Sequence, residues 1–257
     1  MNAAMNPAKK KKENSNNAPT GTSRGASTSD PGGAGFTGFP TEGLDFLEEL
    51  GRRDKPWFDA NRSVYNDHVV APTKAFVVAL GERLADGFAP GIVALPKTNG
   101  SIAPINNDLR FSPDKNPYKD HLMLRFWEGA NKKTAPTLML RIGADDIGYA
   151  IGVALPSIDR WRELIDDDKT GSALADALAA LGKRRSLDIA GQDYKKVPKP
   201  YPEDHPRADL LRQKGGFQAR WIEPTPKSIG SAKFVDHCMK RLERCSEVHR
   251  WMVANLA

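Results

Sequence analysis

The sequence is poor in cysteine: its 257 residues include only Cys238 and Cys245. A spacing of seven residues on a helix places both sulfurs on one face, about 10 Å apart, which is too far for a disulfide. Buried reduced thiols are therefore expected, and they suit a reducing compartment. The sequence does not predict the disulfide framework of a small secreted protein.

Several functional motifs are also lacking. No apolar run approaches the roughly 20 residues that cross a bilayer, and no apolar segment follows the N-terminal lysines. A cytoplasmic protein without a membrane segment is predicted. A cysteine–histidine metal box, a phosphate-cradling GxxxxGK loop and a nucleophile elbow are missing as well. No metal site and no cofactor are therefore expected.

The positive charge is concentrated near the N-terminus. Of a net charge of +6, about half lies in the first 40 residues, where Lys9–Lys12 and Arg24 outweigh Glu13 and Asp30. The remainder is nearly balanced, which does not indicate a dedicated nucleic-acid-binding protein. Residues 1–35 are predicted to be a disordered, low-complexity tail. Its lysine run could make weak, non-specific contact with nucleic acid, and a solubilising tail is the simpler interpretation.

Residues 36–257 are predicted to form a single α+β domain, with an antiparallel central sheet flanked by helices. Thr41 is expected to cap a first helix and Asp54 a second, while a third begins near Pro72. A last helix is expected from about Ser231 onward, burying both cysteines. The predicted strands are HLMLRFW, the hairpin TLMLRIGADDIGYAIGVAL and GGFQARW.

The second arm of the hairpin has one large face and one nearly flat face. Large apolar residues from Ile147 to Leu155 alternate with Gly148, Ala150 and Gly152. A flat face allows a helix or a ligand to approach closely, and helix packing is the preferred interpretation.

Charged and turn-forming residues crowd the segment NDLRFSPDKNPYKDH, residues 107–121. Its two prolines favour stiff turns, which fix the directions of neighbouring side chains. A guanidinium, two ammonium groups and two hydroxyls could then converge on a phosphate or carboxylate. The predicted ligand-binding residues are Arg110, Ser112, Lys115, Tyr118 and Lys119, with Arg62 from the second helix. The alternative is that these charges pair with one another on a polar loop.

Two residues are candidates for proton transfer. Asp108 could orient the bases or move a proton, and His205 lies among carboxylates in PEDHPRADLLR. The alternative for His205 is a helix start whose acids face the helix dipole, and His121 is equally ambiguous. The acidic run at 166–169 is interpreted as a solvated helix end rather than a cation site. Whether the protein is an enzyme stays open; an enzyme would hydrolyse or transfer groups on an anionic small molecule.

The central segment resembles the uncharacterised family catalogued as domain of unknown function 2461, whose members read approximately Arg-Asp-x-Arg-Phe-Ser-x-Asp-Lys-x-Pro-Tyr-Lys. The matching positions are Asp108, Arg110, Phe111, Ser112, Asp114, Lys115, Pro117, Tyr118 and Lys119. The stretches FTGFP…WFDANRSVY and DHPRADLLRQKGGF also resemble the family, while Asn107 stands where the family usually has arginine. The resemblance implies no activity. The predicted function is an anion-recognising pocket around residues 108–119, with a small anionic molecule as partner; the alternative is a non-catalytic interaction or scaffold protein.

Overall fold

A computed structural model describes residues 35–110, 116–183, 186–191 and 194–256. The predicted disorder of residues 1–35 therefore lies outside the described residues, apart from Gly35. In chain order the helices are α1 (Thr41–Leu50), α2 (Lys55–Ala60), α3 (Arg62–Val64), a π-helix (Tyr65–Val70), α4 (Ala71–Gly87), α5 (Ile158–Asp166), α6 (Asp168–Gly182), α7 (Ala208–Leu211), a 3₁₀ turn (Lys227–Gly230), α8 (Lys233–Leu242), a 3₁₀ turn (Glu243–Cys245) and α9 (Ser246–Leu256).

The strands of the described residues form one six-stranded sheet in the order β1-β2-β3-β4-β6-β5. They are β1 (Ile92–Val93), β2 (Leu122–Glu128), β3 (Thr137–Ile142), β4 (Asp146–Ala154), β5 (Asp188–Ala190) and β6 (Gly216–Pro224). Every neighbouring pair is antiparallel, so the predicted α+β class with an antiparallel sheet is confirmed. The edge strands β1 and β5 were not predicted, because two or three residues are too few to show an alternating period.

The start of the fold is held by an aromatic cluster. Phe36 and Phe39 pack against Phe76 of α4, and Phe76 stacks on Phe234 of α8 with ring centroids 5.3 Å apart. Gly38, between the two phenylalanines, has a φ of +128°, and a Cβ there would lie 2.2 Å from the backbone of Gly230. Only glycine tolerates both that conformation and that contact.

Helix capping follows the sequence in part. Asp54 accepts a hydrogen bond from the Trp57 amide, 3.1 Å away, as predicted. Thr41 is instead the first helical residue, behind Pro40, and makes no side-chain cap. At the start of α6, Asp167 is the cap and accepts from the amides of residues 169 and 170. The acidic run at 166–169 therefore turns the chain between α5 and α6.

The sheet buries one face and leaves the other largely open. Ile147, Tyr149 and Ile151 of β4 are in the core beneath the helices. On the opposite face Ile222 is 67 % exposed, and the atoms nearest a Cβ on Gly148 or Gly152 belong to neighbouring strands. No helix atom is among the three nearest neighbours of a Cβ at Gly148 or Gly152, so the interpretation that a helix packs on the flat face finds no support at these two positions. That face is lined by side chains of the sheet itself.

The C-terminal apolar stripe is confirmed, but it is divided between two helices. The 3₁₀ turn Glu243–Cys245 separates α8 from α9. Cys238 and Cys245 are both buried and both free thiols, as expected. Within the described ranges, no helix has the length and apolar character needed to cross a membrane.

Candidate functional site

The two ends of the segment around residue 110, residues 105–107 and 117–119, lie side by side. We call this pairing the neck. Asn106 and Tyr118 form an antiparallel bridge. On either side of it, the Asn107 amide donates to the Pro117 carbonyl and the Lys119 amide to the Ile105 carbonyl, both at 2.9 Å. Residues 105–107 and 117–119 therefore lie side by side in antiparallel fashion just before β2.

The side chain of Asn107 closes this neck. Its amide nitrogen donates to the carbonyl oxygens of Asn116 at 3.0 Å and Tyr118 at 2.8 Å, which uses both of its N–H groups. The Asn107 side chain thus ties the two sides of the neck together. Its carbonyl oxygen is left as an acceptor.

Lys119 is held by the backbone opposite it. Its ammonium donates to the Pro104 carbonyl at 2.8 Å and also to the Asn106 carbonyl. An ammonium has three N–H donors, so a third remains without a partner among the described residues. Burial lowers the pKa of Lys119 from its usual value, because it disfavours the charged form.

Arg110 lies in an exposed turn and forms a bidentate hydrogen-bonded pair with Asp108. Its guanidinium donates to both carboxylate oxygens, at 2.9 and 2.7 Å, and its backbone amide donates to the same group. This bidentate hydrogen bond lowers the pKa of Asp108 and raises that of Arg110. The pair lies beside a turn at residues 109–110. Ser112 and Lys115, the predicted partners of Arg110, lie outside the described residues.

Tyr118 and Arg62 are linked through an aromatic ring of α2. Tyr118 is buried and packs against Phe58, with ring centroids 4.8 Å apart. The Arg62 guanidinium lies 4.9 Å from the centroid of the same Phe58 ring and pairs with Asp59 at 2.6 Å. Tyr118 thus anchors the neck to the core, and Arg62 reaches the segment through Phe58.

A concave site of about 140 Å³ lies at the base of the loop. We call it the loop cleft. It is lined by Gly51, Asn107, Asn116, Tyr118, Lys119, Asp120 and His121. The structure thus brings Tyr118 and Lys119 together with Asp120 and His121, which were not predicted as ligand-binding residues. Asp108 and Arg110 are not part of its lining.

An ordered pair of side chains occupies one wall of the loop cleft. His121 Nδ1 lies 2.5 Å from Asp120 Oδ1. Arg141 of β3 approaches the same oxygen at 3.6 Å and also pairs with Asp146 across the hairpin. Gly51, at the end of α1, packs against Asp120, since a Cβ there would lie 2.7 Å from the Asp120 Cβ. Three separate elements therefore position this pair.

The electrostatics of the pair favour a carboxylate next to a neutral imidazole. Burial lowers the pKa of His121, and the Asp120 hydrogen bond only partly offsets it. Burial acts to raise the pKa of Asp120, but the hydrogen bond from His121 and the charge of Arg141 bring it below its usual value.

His205 lies in a different, closed region. Its Nδ1 accepts a hydrogen bond from the Arg207 amide at 3.0 Å, and its Nε2 lies 3.3 Å from Asp166. Both ring nitrogens are therefore occupied. This candidate for proton transfer stands beside the turn between α5 and α6, where it supports the start of α7.

Arg207 fills that turn, which we call the Arg207 corner. Its side chain is 7 % exposed and donates to the backbone carbonyls of Ile165 at 2.6 Å and Asp166 at 2.8 Å. It also donates to Ser172 Oγ at 3.0 Å, and lies 3.4 Å from Asp168. Ser172 lies inside α6, and its hydroxyl oxygen is the acceptor.

Outside the loop cleft, most side chains that line a second concave surface are less buried. A hollow of about 340 Å³ between α4 and α8 is larger, but its Arg83–Asp236 pair is more than half exposed. Within the described ranges, no group of three or more histidine, cysteine, aspartate or glutamate side chains could hold a metal ion.

Sequence reasoning missed Asp120, His121 and Arg141 as one unit. Arg141 is 20 residues beyond the cleft segment, and β2–β3 pairing places it opposite Met123, near the start of β2. The available signal was the adjacent Asp–His pair at the end of a charged loop.

Comparison with known proteins supports the resemblance seen in the sequence. A family model described as "Conserved hypothetical protein (DUF2461)" matches residues 42–251. No curated protein matches the chain in sequence.

Proposed function

The chain belongs to the DUF2461 family of conserved hypothetical proteins, and because that membership names no reaction, we propose a function from the site itself: the loop cleft binds a small anion, a phosphate or a carboxylate. The observation that carries this proposal is the state of Lys119. Two backbone carbonyls hold its ammonium in place, and a third donor is left at a concave surface.

A fixed cation favours binding because little side-chain entropy remains to be lost when the ligand arrives. The walls of the loop cleft supply further polar groups, but the Asn107 carbonyl oxygen only accepts hydrogen bonds and can therefore contact only a protonated oxygen of the ligand. Asp120 also borders the cleft, so its charge opposes that of Lys119. A ligand with a single negative charge suits this arrangement better than a dianion.

The test compares two lysines that each donate to two backbone carbonyls. Lys132 also donates to two backbone carbonyls, those of Asn99 and Gly100, but it does not line the loop cleft. We expect inorganic phosphate to raise the melting temperature of the wild type and of Lys132→Met, but not of Lys119→Met. At a hundredfold excess over Kd the stabilisation is about 2.7 kcal/mol. An equal response of the two variants would contradict the proposal.

A scaffold function is the second candidate, and the Arg110–Asp108 pair favours it. In this bidentate pair Arg110 and Asp108 satisfy each other's charge without a ligand. In that case the segment would stabilise the loop or dock a partner, and phosphate would leave the melting temperature of every variant unchanged.

A further inference from the structure

We propose that Asp120 and His121 make the loop cleft catalytic: His121 Nε2 acts as a general base on a water or hydroxyl nucleophile that attacks a small phosphodiester held beside Lys119. This inference rests on the anion-binding function proposed above. It adds a reaction class and names the group that moves the proton.

The two ring nitrogens of His121 have different surroundings. Nδ1 is occupied by Asp120, whereas Nε2 has no hydrogen-bond partner in the described part of the chain. Nε2 is also not among the buried polar atoms left without a partner, although those of His237 and His249 are. The His121 side chain is 21 % exposed and lines the loop cleft, so Nε2 is the nitrogen that a ligand can reach.

Asp120 determines which nitrogen carries the proton. A carboxylate accepts from Nδ1–H, which leaves the lone pair of a neutral imidazole on Nε2. The hydrogen bond from His121 and, after it, the charge of Arg141 at 3.6 Å hold the pKa of Asp120 below its usual value. The order Arg141, Asp120, His121 is therefore that of a base oriented by a carboxylate and supported by a cation.

A second histidine with a carboxylate neighbour, His205, provides a contrast. His205 has both nitrogens engaged at the Arg207 corner, so it has no lone pair for a substrate proton. His121 combines a neighbouring carboxylate, a free nitrogen and a concave surface, which is the geometry of general-base catalysis.

The charge of the loop cleft selects the substrate class. Lys119 supplies one positive charge and Asp120 one negative charge nearby, so a phosphodiester monoanion is better matched than a phosphomonoester dianion. The third N–H of Lys119 can donate to a non-bridging oxygen as negative charge grows there during attack.

The step balances without a further reactant. The nucleophile's O–H proton passes to Nε2 while its oxygen forms a bond to phosphorus. The bond from phosphorus to the leaving oxygen breaks, and the leaving group departs with the electron pair. His121 then releases its proton to solvent.

The probe is 2-hydroxypropyl p-nitrophenyl phosphate, a small diester with its own hydroxyl nucleophile and a coloured leaving group. The expected products are a cyclic phosphate and p-nitrophenolate. We expect His121→Gln to lower kcat/KM about 100-fold, the usual scale for a general base. Asp120→Asn should lower kcat and change the pH profile. His68→Gln, a histidine substitution on the π-helix, should leave the rate unchanged.

Binding of dimethyl phosphate, measured by calorimetry, separates the two proposals. If dimethyl phosphate binds but His121→Gln turns over the probe as fast as the wild type, or neither exceeds buffer, the catalytic inference is wrong and the anion site stands. If dimethyl phosphate does not bind, the catalytic inference is wrong, and the melting response of Lys119→Met to inorganic phosphate decides the anion site separately. The nitrogen-15 shifts of the His121 ring provide a check without any variant: a proton on Nε2 in place of Nδ1 at neutral pH would overturn the inference.

Discussion

Arg207 and Lys119 are both cations that hold backbone carbonyl groups, yet they lie in different surroundings. Arg207 closes a buried corner between two helices, and each of its guanidinium nitrogens donates to an acceptor. Lys119 lies at the rim of the loop cleft and keeps one donor. A cation that binds backbone carbonyls can therefore either stabilise a buried turn or leave a donor available to a ligand. The number of donors still unused distinguishes the two cases.

The largest expected effect is at the Arg207 corner. Arg207→Met leaves the carbonyl of Ile165 without its donor in a buried position, and that of Asp166 without its donor in a partly buried one. We expect a loss of about 3 kcal/mol in the free energy of unfolding, measured by urea denaturation. Arg207→Lys should recover little of it, since an ammonium cannot reproduce the fork. A loss below about 1 kcal/mol would mean that the hydrogen bonds of Arg207 do not hold the turn between α5 and α6 together.

A smaller effect is expected at Lys119. The carbonyls it holds belong to Pro104 and Asn106, two exposed residues that water can reach. Lys119→Met should therefore cost about 1 kcal/mol in the same denaturation experiment, against about 3 kcal/mol at Arg207. Equal losses at the two positions would remove the distinction between the corner and the cleft.

The pH dependence of stability tests the His121 side of the cleft. Burial lowers the pKa of His121, so the unfolded chain binds a proton more readily than the folded one. The free energy of unfolding must then fall as pH drops through the ordinary histidine range near 6.5. We expect His121→Gln to make this fall shallower, as measured by urea denaturation between pH 7.5 and about 5.

Only the difference between the wild-type and His121→Gln curves isolates this contribution. Burial also lowers the pKa of His249, to about 4, and its effect on stability has the same sign. Parallel curves for wild type and variant would show that His121 titrates as it does in the unfolded chain.

The smallest effect is expected at the tip of the loop. Arg110 is 79 % exposed, and exposed ion pairs contribute little to stability because water screens them. Arg110→Ala should change the free energy of unfolding by less than about 0.5 kcal/mol in urea denaturation. A loss above about 1 kcal/mol would show that the loop has a closed network resembling the Arg207 corner.

Much of the fold could be predicted because the hydrophobic patterns of its strands and helices extend over many residues. The hairpin of β3 and β4 alternates over many residues, and the stripes of α4, α8 and α9 bury the apolar residues expected from helical spacing. No such pattern marks the short elements, which are the strands β1 and β5 and the 3₁₀ turn between α8 and α9. The tertiary contacts of neighbouring elements determine them.

The candidate site divides in the same way. Its location, near residues 107–121, followed from the local density of charge and turn residues. The partners did not: the sequence grouped Arg110 with Lys119 as anion ligands, whereas the structure joins Arg110 to Asp108 and places Lys119 beside His121.

The sequence by itself determined the α+β class, the amphipathic faces and the segment that forms the loop cleft, because each depends on residues close together in the chain. Tertiary structure alone decided which charged side chains are fully hydrogen-bonded within the protein and which keep a donor for a ligand. That outcome depends on where the carbonyls of residues 104 and 106 meet Lys119, and on the strand pairing that carries Arg141 to Asp120. Hydrogen bonds are satisfied by distance and direction in space, which sequence spacing does not encode.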